Sequence, residues 1–410
     1  MKNYVLLLIA GLFLFAHCTP ENITPDDNPD LITFDCENSD GCELVDANNV
    51  FGFNIFKALH EEKPLDNIFI SPLSISTALT MTQNGADGDT KTQMQEVLQT
   101  SDLDIQAVNE AYQYLLTTLP DLDPSVQLDL ANSIWYHYEF PVYPEFLDAN
   151  ETYFNSEVIE ADFRDPETVN DINGWVSDNT NGKIPTVLDQ IPQAAIMYLI
   201  NAIYFKGDWQ YTFDEDMTYE TSFFKHDGST VPIDMMGWEG ATDLPYFENE
   251  LFQAIDLPYG DGQFSMTLML PKNEVGIEGV VAQLNKENWD TWMESFVNQE
   301  VHYQMPKFKL EYKKELKDIL AAMGMEDLFT GRCDLSKLGP GGLIVSKVLH
   351  KSFLEINEQG TEAAAVTVVG VETTSVPSIP YMILNRSFML FIRDNVTNSI
   401  LFMGQIQDPS

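Results

Sequence analysis

Positive charge is what this sequence lacks. Against 64 Asp and Glu stand only 21 Lys and Arg in 410 residues, a formal net charge of -43. A surface of that sign repels phosphate backbones and anionic lipid headgroups, which argues against nucleic-acid partners. Histidine is scarce too: the six present make no ligand spacing, and the four cysteines form no CxxC pair, so no metal site is expected. The acidic run Asp35-Cys36-Glu37-Asn38-Ser39-Asp40-Gly41 has its Gly displaced from the calcium-loop position and reads as a solvated turn. Also missing are GxSxG, HExxH, GxxxxGK[ST] and a GxGxxG after a strand. Nothing here indicates an enzyme, and no cofactor is expected.

What is present begins with an export signal. Lys2 precedes an apolar run over residues 5–16, too short to span a bilayer but suited to the core of such a signal. Cys18 follows, then a polar acidic stretch with little to pack. This resembles a bacterial lipoprotein signal, in which the Cys becomes the lipidated first residue, although His17 stands where that signal has a small residue. The organisation expected is signal 1–17, acidic tether 18–43 and one folded domain 44–410, with the mature protein exported to the cell envelope or secreted. Any membrane contact would then come through a lipid on Cys18. Cys36 and Cys42 flank a short polar turn and suit a small disulfide in an oxidising compartment. Cys333 is left as a buried or half-buried thiol.

The remaining apolar fraction, 44% of the chain, supports a sizeable core, and no repeat or second linker divides it. Residues 45–60 carry apolar side chains at helical spacing. Asn67-Ile68-Phe69-Ile70 reads as a strand, broken by Ser71-Pro72 before a helix that Ser74 is placed to cap. Val126, Leu128 and Leu130 alternate as a strand, Pro144 starts a helix, and 169–180 is another. The apolar run 195–205 reads as a central strand buried on both faces. Hairpins turn at His226-Asp227-Gly228 and Gly260-Asp261-Gly262. Helices are expected over 280–296 and 314–329, and strands over 343–357 and at the C-terminus. Helices come early and strands late without βαβ alternation, which predicts an α+β fold.

Five stretches now carry a resemblance. They are Phe69-Ile70-Ser71-Pro72-Leu73-Ser74-Ile75; Asn201-Ala202-Ile203-Tyr204-Phe205-Lys206-Gly207-Asp208-Trp209; His350-Lys351-Ser352-Phe353; Asn357-Glu358-Gln359-Gly360-Thr361-Glu362-Ala363-Ala364-Ala365; and Arg386-Ser387-Phe388-Met389-Leu390-Phe391 with Leu401-Phe402-Met403-Gly404. In this order they resemble a serpin over about residues 44–408. The resemblance implies three β-sheets with eight or nine helices and an exposed reactive-centre loop. It also implies a suicide-substrate mechanism: a protease cuts the loop, is held as an acyl-enzyme, and is dragged away as the upstream strand inserts into the central sheet. The partner class is a serine protease, with cysteine proteases second, and the inhibitor is expected to be a monomer. A non-inhibitory serpin acting as a carrier is the alternative.

The resemblance also places residues. Glu358, Gly360, Thr361, Ala363, Ala365 and Thr367 fall in the hinge. Counting from Thr361, the small set Thr361, Ala363, Ala365 and Thr367 would face inward on an inserted strand. Ser71, Ser74, Asn201 and His350 match a polar cluster where strands must part, and Lys307 pairs with Glu358 at the top of the sheet. The cut bond lies about sixteen residues beyond Glu358, a span set by the strand to be inserted, giving Thr374-Ser375. Thr373-Thr374 is the runner-up. Counting back from Asn385 instead gives Val376-Pro377, a poor substrate bond because proline is rigid and lacks N–H. No Lys or Arg lies between positions 360 and 384, which disfavours trypsin-like proteases and favours elastase-like or subtilisin-like ones. After Thr90 the sequence offers Lys91 but then Glu96, Asp102 and Asp104, so heparin is not an expected partner.

Overall fold

Helices crowd the first part of the chain and strands the rest, in a computed structural model that describes residues 40–361 and 379–410. The export signal, Cys18, Cys36, Ala363, Ala365, Thr367, Thr373, Thr374 and Ser375 lie outside the described residues. Helix α1 (Asp40–Glu62) starts four residues before the expected domain boundary. It is followed by β1 (Ile68–Ile70), α2 (Pro72–Gln83), α3 (Gly88–Val97) and α4 (Ile105–Thr118). Next come β2 (Val126–His137), α5 (Pro144–Phe154), β3 (Ser156–Ala161), α6 (Glu167–Asp178) and β4 (Met197–Asp208). The hairpins give β5 (Tyr219–Phe224) with β6 (Thr230–Gly237), then β7 (Thr242–Glu248), and β8 (Phe252–Tyr259) with β9 (Phe264–Pro271). Two short helices, α7 (Gly276–Gln283) and α8 (Lys286–Glu294), lead into β10 (Val297–Glu315). The chain ends with α9 (Lys317–Met323), β11 (Leu349–Ile356), β12 (Gly360–Thr361), β13 (Tyr381–Ile383), β14 (Phe388–Asp394) and β15 (Ile400–Ile406).

The core is an antiparallel run ordered β1-β15-β14-β9-β8-β7. Every residue of β9, β14 and β15 is buried, as near-continuous apolar runs require when both faces of a strand are covered. One buried ion pair lies there: Arg393 donates to Asp256 at 2.8 Å and to the Thr267 hydroxyl at 3.1 Å. The 19-residue β10 pairs first with β7, then with β6 and β13, and last with β11. One strand thus links the layers. A separate ladder is ordered β12-β4-β2-β3.

Several expectations need correcting. The cap of α2 is Ser71, whose hydroxyl accepts from the Ser74 N–H at 3.1 Å, while Pro72 takes the first helical position. A proline there suits the orphan N–H positions of a helix start, so the cap precedes it. Residues 280–296 hold two helices, because Asn285 caps α8 by accepting from Asn288 N at 2.9 Å. The expected helix over 314–329 shrinks to α9, since β10 runs on to Glu315 and Gly324 takes φ +129°. Strand β11 starts only at Leu349. Asp40 and Gly41 belong to α1, not to a solvated turn. Cys42 is disulfide-bonded, with its partner outside the described residues. Cys333 is a half-buried free thiol whose pKa burial pushes to about 11.

Candidate functional site

Strands β4 and β11 face each other across a gap. Among the described residues, β4 pairs with β2 and, at its upper end, with β12, while β11 pairs only with β10. The expected burial of β4 on both faces therefore fails in its first half: residues 197–201 are half-buried and only 202–205 form a continuous buried stretch. A cavity of about 350 Å³ opens there, with Ser74, Ile200, Asn201, Leu349 and His350 in its walls. Higher up, a pocket of about 20 Å³ is walled by Ile203, Phe205, Phe353, Glu355 and Thr361.

The upper end is closed by the chain leaving β11. Asn357 makes a tight turn by accepting from Gln359 N at 3.0 Å and Gly360 N at 3.2 Å. Gly360 then sits at φ +154°, where a Cβ would collide with the Gly207 carbonyl and the Asp208 backbone, so only glycine fits. Two residues of strand follow, Gly360 opposite Asp208 and Thr361 opposite Gly207, antiparallel to β4. Thr361 is buried and its hydroxyl meets the Tyr259 hydroxyl at 2.9 Å. Tyr259 stacks on Trp209 with centroids 4.5 Å apart, and the Trp209 indole N–H donates to Asn357 O at 3.1 Å. Glu358 is buried and accepts from Lys307 Nζ at 2.8 Å and from the Thr218 hydroxyl at 2.9 Å. Burial pushes its carboxyl up, but Lys307, with Thr218 and the backbone, outweighs this and holds it below the usual range.

Below, the expected polar cluster is only partly assembled. The Ser71 backbone N–H donates to His350 Nε2 at 3.2 Å, and the Ser71 hydroxyl accepts from Ser74 N. Because Nε2 accepts, the imidazole proton belongs on Nδ1. Desolvation of fully buried His350 lowers its pKa to about 4, so the ring is neutral near pH 7. Asn201 stands apart, donating across to Asn132 at 2.8 Å while its own side-chain oxygen is buried without a partner. Bridging this region, the chain after α6 reaches β11: Lys183 pairs with Glu355 at 3.1 Å and Lys351 donates to Thr186 O at 3.3 Å. Sequence reasoning missed Thr218, Tyr259 and Lys183, which carry no local signal. Trp209 ends the stretch from Asn201 that carries the resemblance.

A profile described as Serpin (serine protease inhibitor) matches residues 46–409. The chain is a serpin. Its relatives include the leukocyte elastase inhibitor of Xenopus tropicalis, 35% identical over 89% of this chain and 99% of that one. Among solved structures, the thermophilic serpin Tengpin in its native state superposes with TM-score 0.81 at 32% identity, covering 89% of this chain and 94% of that one. Human thyroxine-binding globulin in complex with its hormone gives TM-score 0.83 at 29% identity over 91% and 100%. The α+β class is present, and the described residues hold nine helices where the resemblance implied eight or nine.

Proposed function

We propose that this serpin is an irreversible, covalent inhibitor of elastase-like or subtilisin-like serine proteases, cut at Thr374-Ser375 and acting by loop insertion between β4 and β11. The observation that carries the reading is the gap, open among the described residues and headed by β12, a strand already started in the antiparallel sense. Continuing the register of Gly360 with Asp208 and Thr361 with Gly207 would set Thr367 opposite Asn201 and Val371 opposite Met197. The set Thr361, Ala363, Ala365 and Thr367 would then share a face with Gly207, Phe205, Ile203 and Asn201. Small uncharged side chains suit that face, and a Thr367 hydroxyl would supply the donor that the Asn201 oxygen lacks.

In this reading, cleavage leaves an acyl-enzyme on Thr374 and frees the chain upstream of it. The insertion then adds ladder hydrogen bonds on two free edges and covers the half-buried apolar walls of the cavity. The uncut form persists because insertion is kinetically blocked until the loop is severed. The protein acts outside the cytoplasm, held to a membrane by a lipid on Cys18.

The thyroxine-binding globulin likeness supports a second reading, a carrier that binds without inhibiting. Mixing the protein with pancreatic elastase or subtilisin separates the two. An SDS-stable band at the summed mass is expected; nicked protein alone at every ratio would sink the inhibitor. Mass spectrometry of the released C-terminal fragment locates the cut.

A further inference from the structure

Three successive backbone carbonyls of the hinge are held by one short segment of the chain. Past the end of β4, residues 209–213 run alongside the hinge. The Trp209 N–H donates to Gln359 O at 2.8 Å and the Phe213 N–H to Glu358 O at 2.7 Å. The Trp209 indole N–H takes the third carbonyl, Asn357 O, at 3.1 Å. Gln210 N donates the other way, to Pro258 O at 2.9 Å, which ties the segment to β8. Apart from a single bridge between Trp209 and Tyr259, the segment belongs to no strand or helix. Its shape is therefore set by side chains, because no ladder of its own holds it.

Those side chains are aromatic and come from distant parts of the chain. Phe213 is buried and lies flat against Trp238, with ring centroids 4.2 Å apart and planes 9° from parallel. The Trp238 indole N–H donates to Thr212 O at 2.8 Å. Buried Tyr303 of β10 completes the group, 5.8 Å from Trp238 and 6.1 Å from Phe213 between centroids. Trp238 is the first residue past β6 and is half-buried. Its one N–H goes to the segment and not to the hinge. It thus grips the holder of the hinge at two adjacent residues, by a stack and by a hydrogen bond.

We propose that Trp238 is a positioning residue for the hinge. By pinning Thr212 and Phe213 it keeps the Trp209 and Phe213 N–H groups aimed at the carbonyls of residues 357–359. It thereby sets how long the uncut protein keeps its loop out of the sheet, a consequence that rests on the inhibitory reading above. The pinning itself stands without that reading. Glu358 and Lys307 fasten a side chain of the hinge; this device fastens its backbone.

Two measurements test it on the wild type, Trp238→Ala, Trp238→Phe and Val280→Ala, the last a truncation of a buried residue in α7. Hydrogen exchange, read by mass spectrometry on peptides covering residues 208–214, reports the pinning. Loss of elastase-inhibiting capacity on incubation reports the consequence. Trp238→Ala should speed exchange in these peptides about 10-fold, the scale of a lost aromatic stack and hydrogen bond, and shorten the lifetime of capacity by a similar factor. Trp238→Phe keeps a ring on Phe213 but loses the indole N–H, and should fall between. Val280→Ala should lower the melting point while changing neither exchange at 208–214 nor lifetime. Exchange within about two-fold of wild type in Trp238→Ala, or an equal rise in Val280→Ala, would overturn the pinning. Faster exchange with an unchanged lifetime would overturn its control of the hinge. If melting shows that Trp238→Ala does not fold, Trp238→Phe decides by the same criteria. A wild type that forms no SDS-stable complex fails the inhibitory reading instead, and the exchange result still decides the pinning.

Discussion

At the top of the gap between β4 and β11, polar groups are paired: Glu358 has Lys307 and Thr218, Asn357 closes its turn, and Thr361 reaches Tyr259. At the bottom the pairing is incomplete, although His350 keeps the Ser71 N–H. Asn201 has an orphaned oxygen, His350 is held neutral, and the apolar start of β4 is half-buried beside a cavity of about 350 Å³. The difference separates two tasks. In the proposed mechanism the satisfied upper end would hold the hinge in place, and the lower end, open among the described residues, is where an added strand would gain most. Apolar area removed from water there contributes about 25 cal/mol per Å², alongside new ladder bonds and a donor for Asn201. Under the proposed mechanism, what holds the trap and what drives it would thus be different residues.

The largest test of that division is at the junction. Thr361→Arg places a cation where the side chain is buried against Tyr259, and an unpaired buried charge costs several kcal/mol. The variant should be cut as a substrate, with inhibitor consumed per protease rising about 10-fold or more. Unchanged stoichiometry would refute the inward assignment of Thr361.

His350 tests the lower end through pH. Its pKa is lowered from 6.5 to about 4 by burial, so between those values the unfolded chain binds a proton that the folded chain does not. Stability therefore rises with pH across that window and falls as pH drops through it, by up to ~3 kcal/mol below pH 4. Melting profiles of wild type and His350→Gln should diverge between pH 7 and 4, with the wild type losing more. Parallel profiles would show that the ring is hydrated.

The smallest effect is expected at the pair that looks strongest. Lys307→Met leaves the Glu358 carboxylate with Thr218 but without a cation. Because the Lys307 side chain is 44% exposed, water reaches the carboxylate from that side when the cation is removed, and the loss is only about 1 kcal/mol. The melting point should fall by ~2 °C, and inhibitory capacity should be lost faster on incubation as the hinge loosens. A variant that keeps its capacity as long as wild type would move the holding role to the aromatic stack of Trp209 and Tyr259.

Much of the fold was legible because its signals are local. Turn chemistry at Asp227-Gly228 and Gly260-Asp261-Gly262 marked the two hairpins, and Pro144 marked the start of α5. The errors came where neighbours outvoted local pattern. The apolar run of β4 reads as buried on both sides, yet below β12 one edge of that strand has no ladder partner among the described residues, and no property of residues 197–201 reveals it. Glu358 with Lys307 was paired through the resemblance. That Ser71, whose cap on Ser74 is local, also binds His350 depends on a partner 279 positions away.

By itself the sequence determined composition, charge, the α+β order of elements and the small uncharged hinge, because these follow from residue types and their periods along the chain. Only the tertiary structure decided that β12 begins a strand beside β4, and that among the described residues the gap below it is unfilled and Asn201 is left wanting a donor. Those features arise between segments more than a hundred residues apart, where packing and satisfied hydrogen bonds, not local propensity, set the outcome.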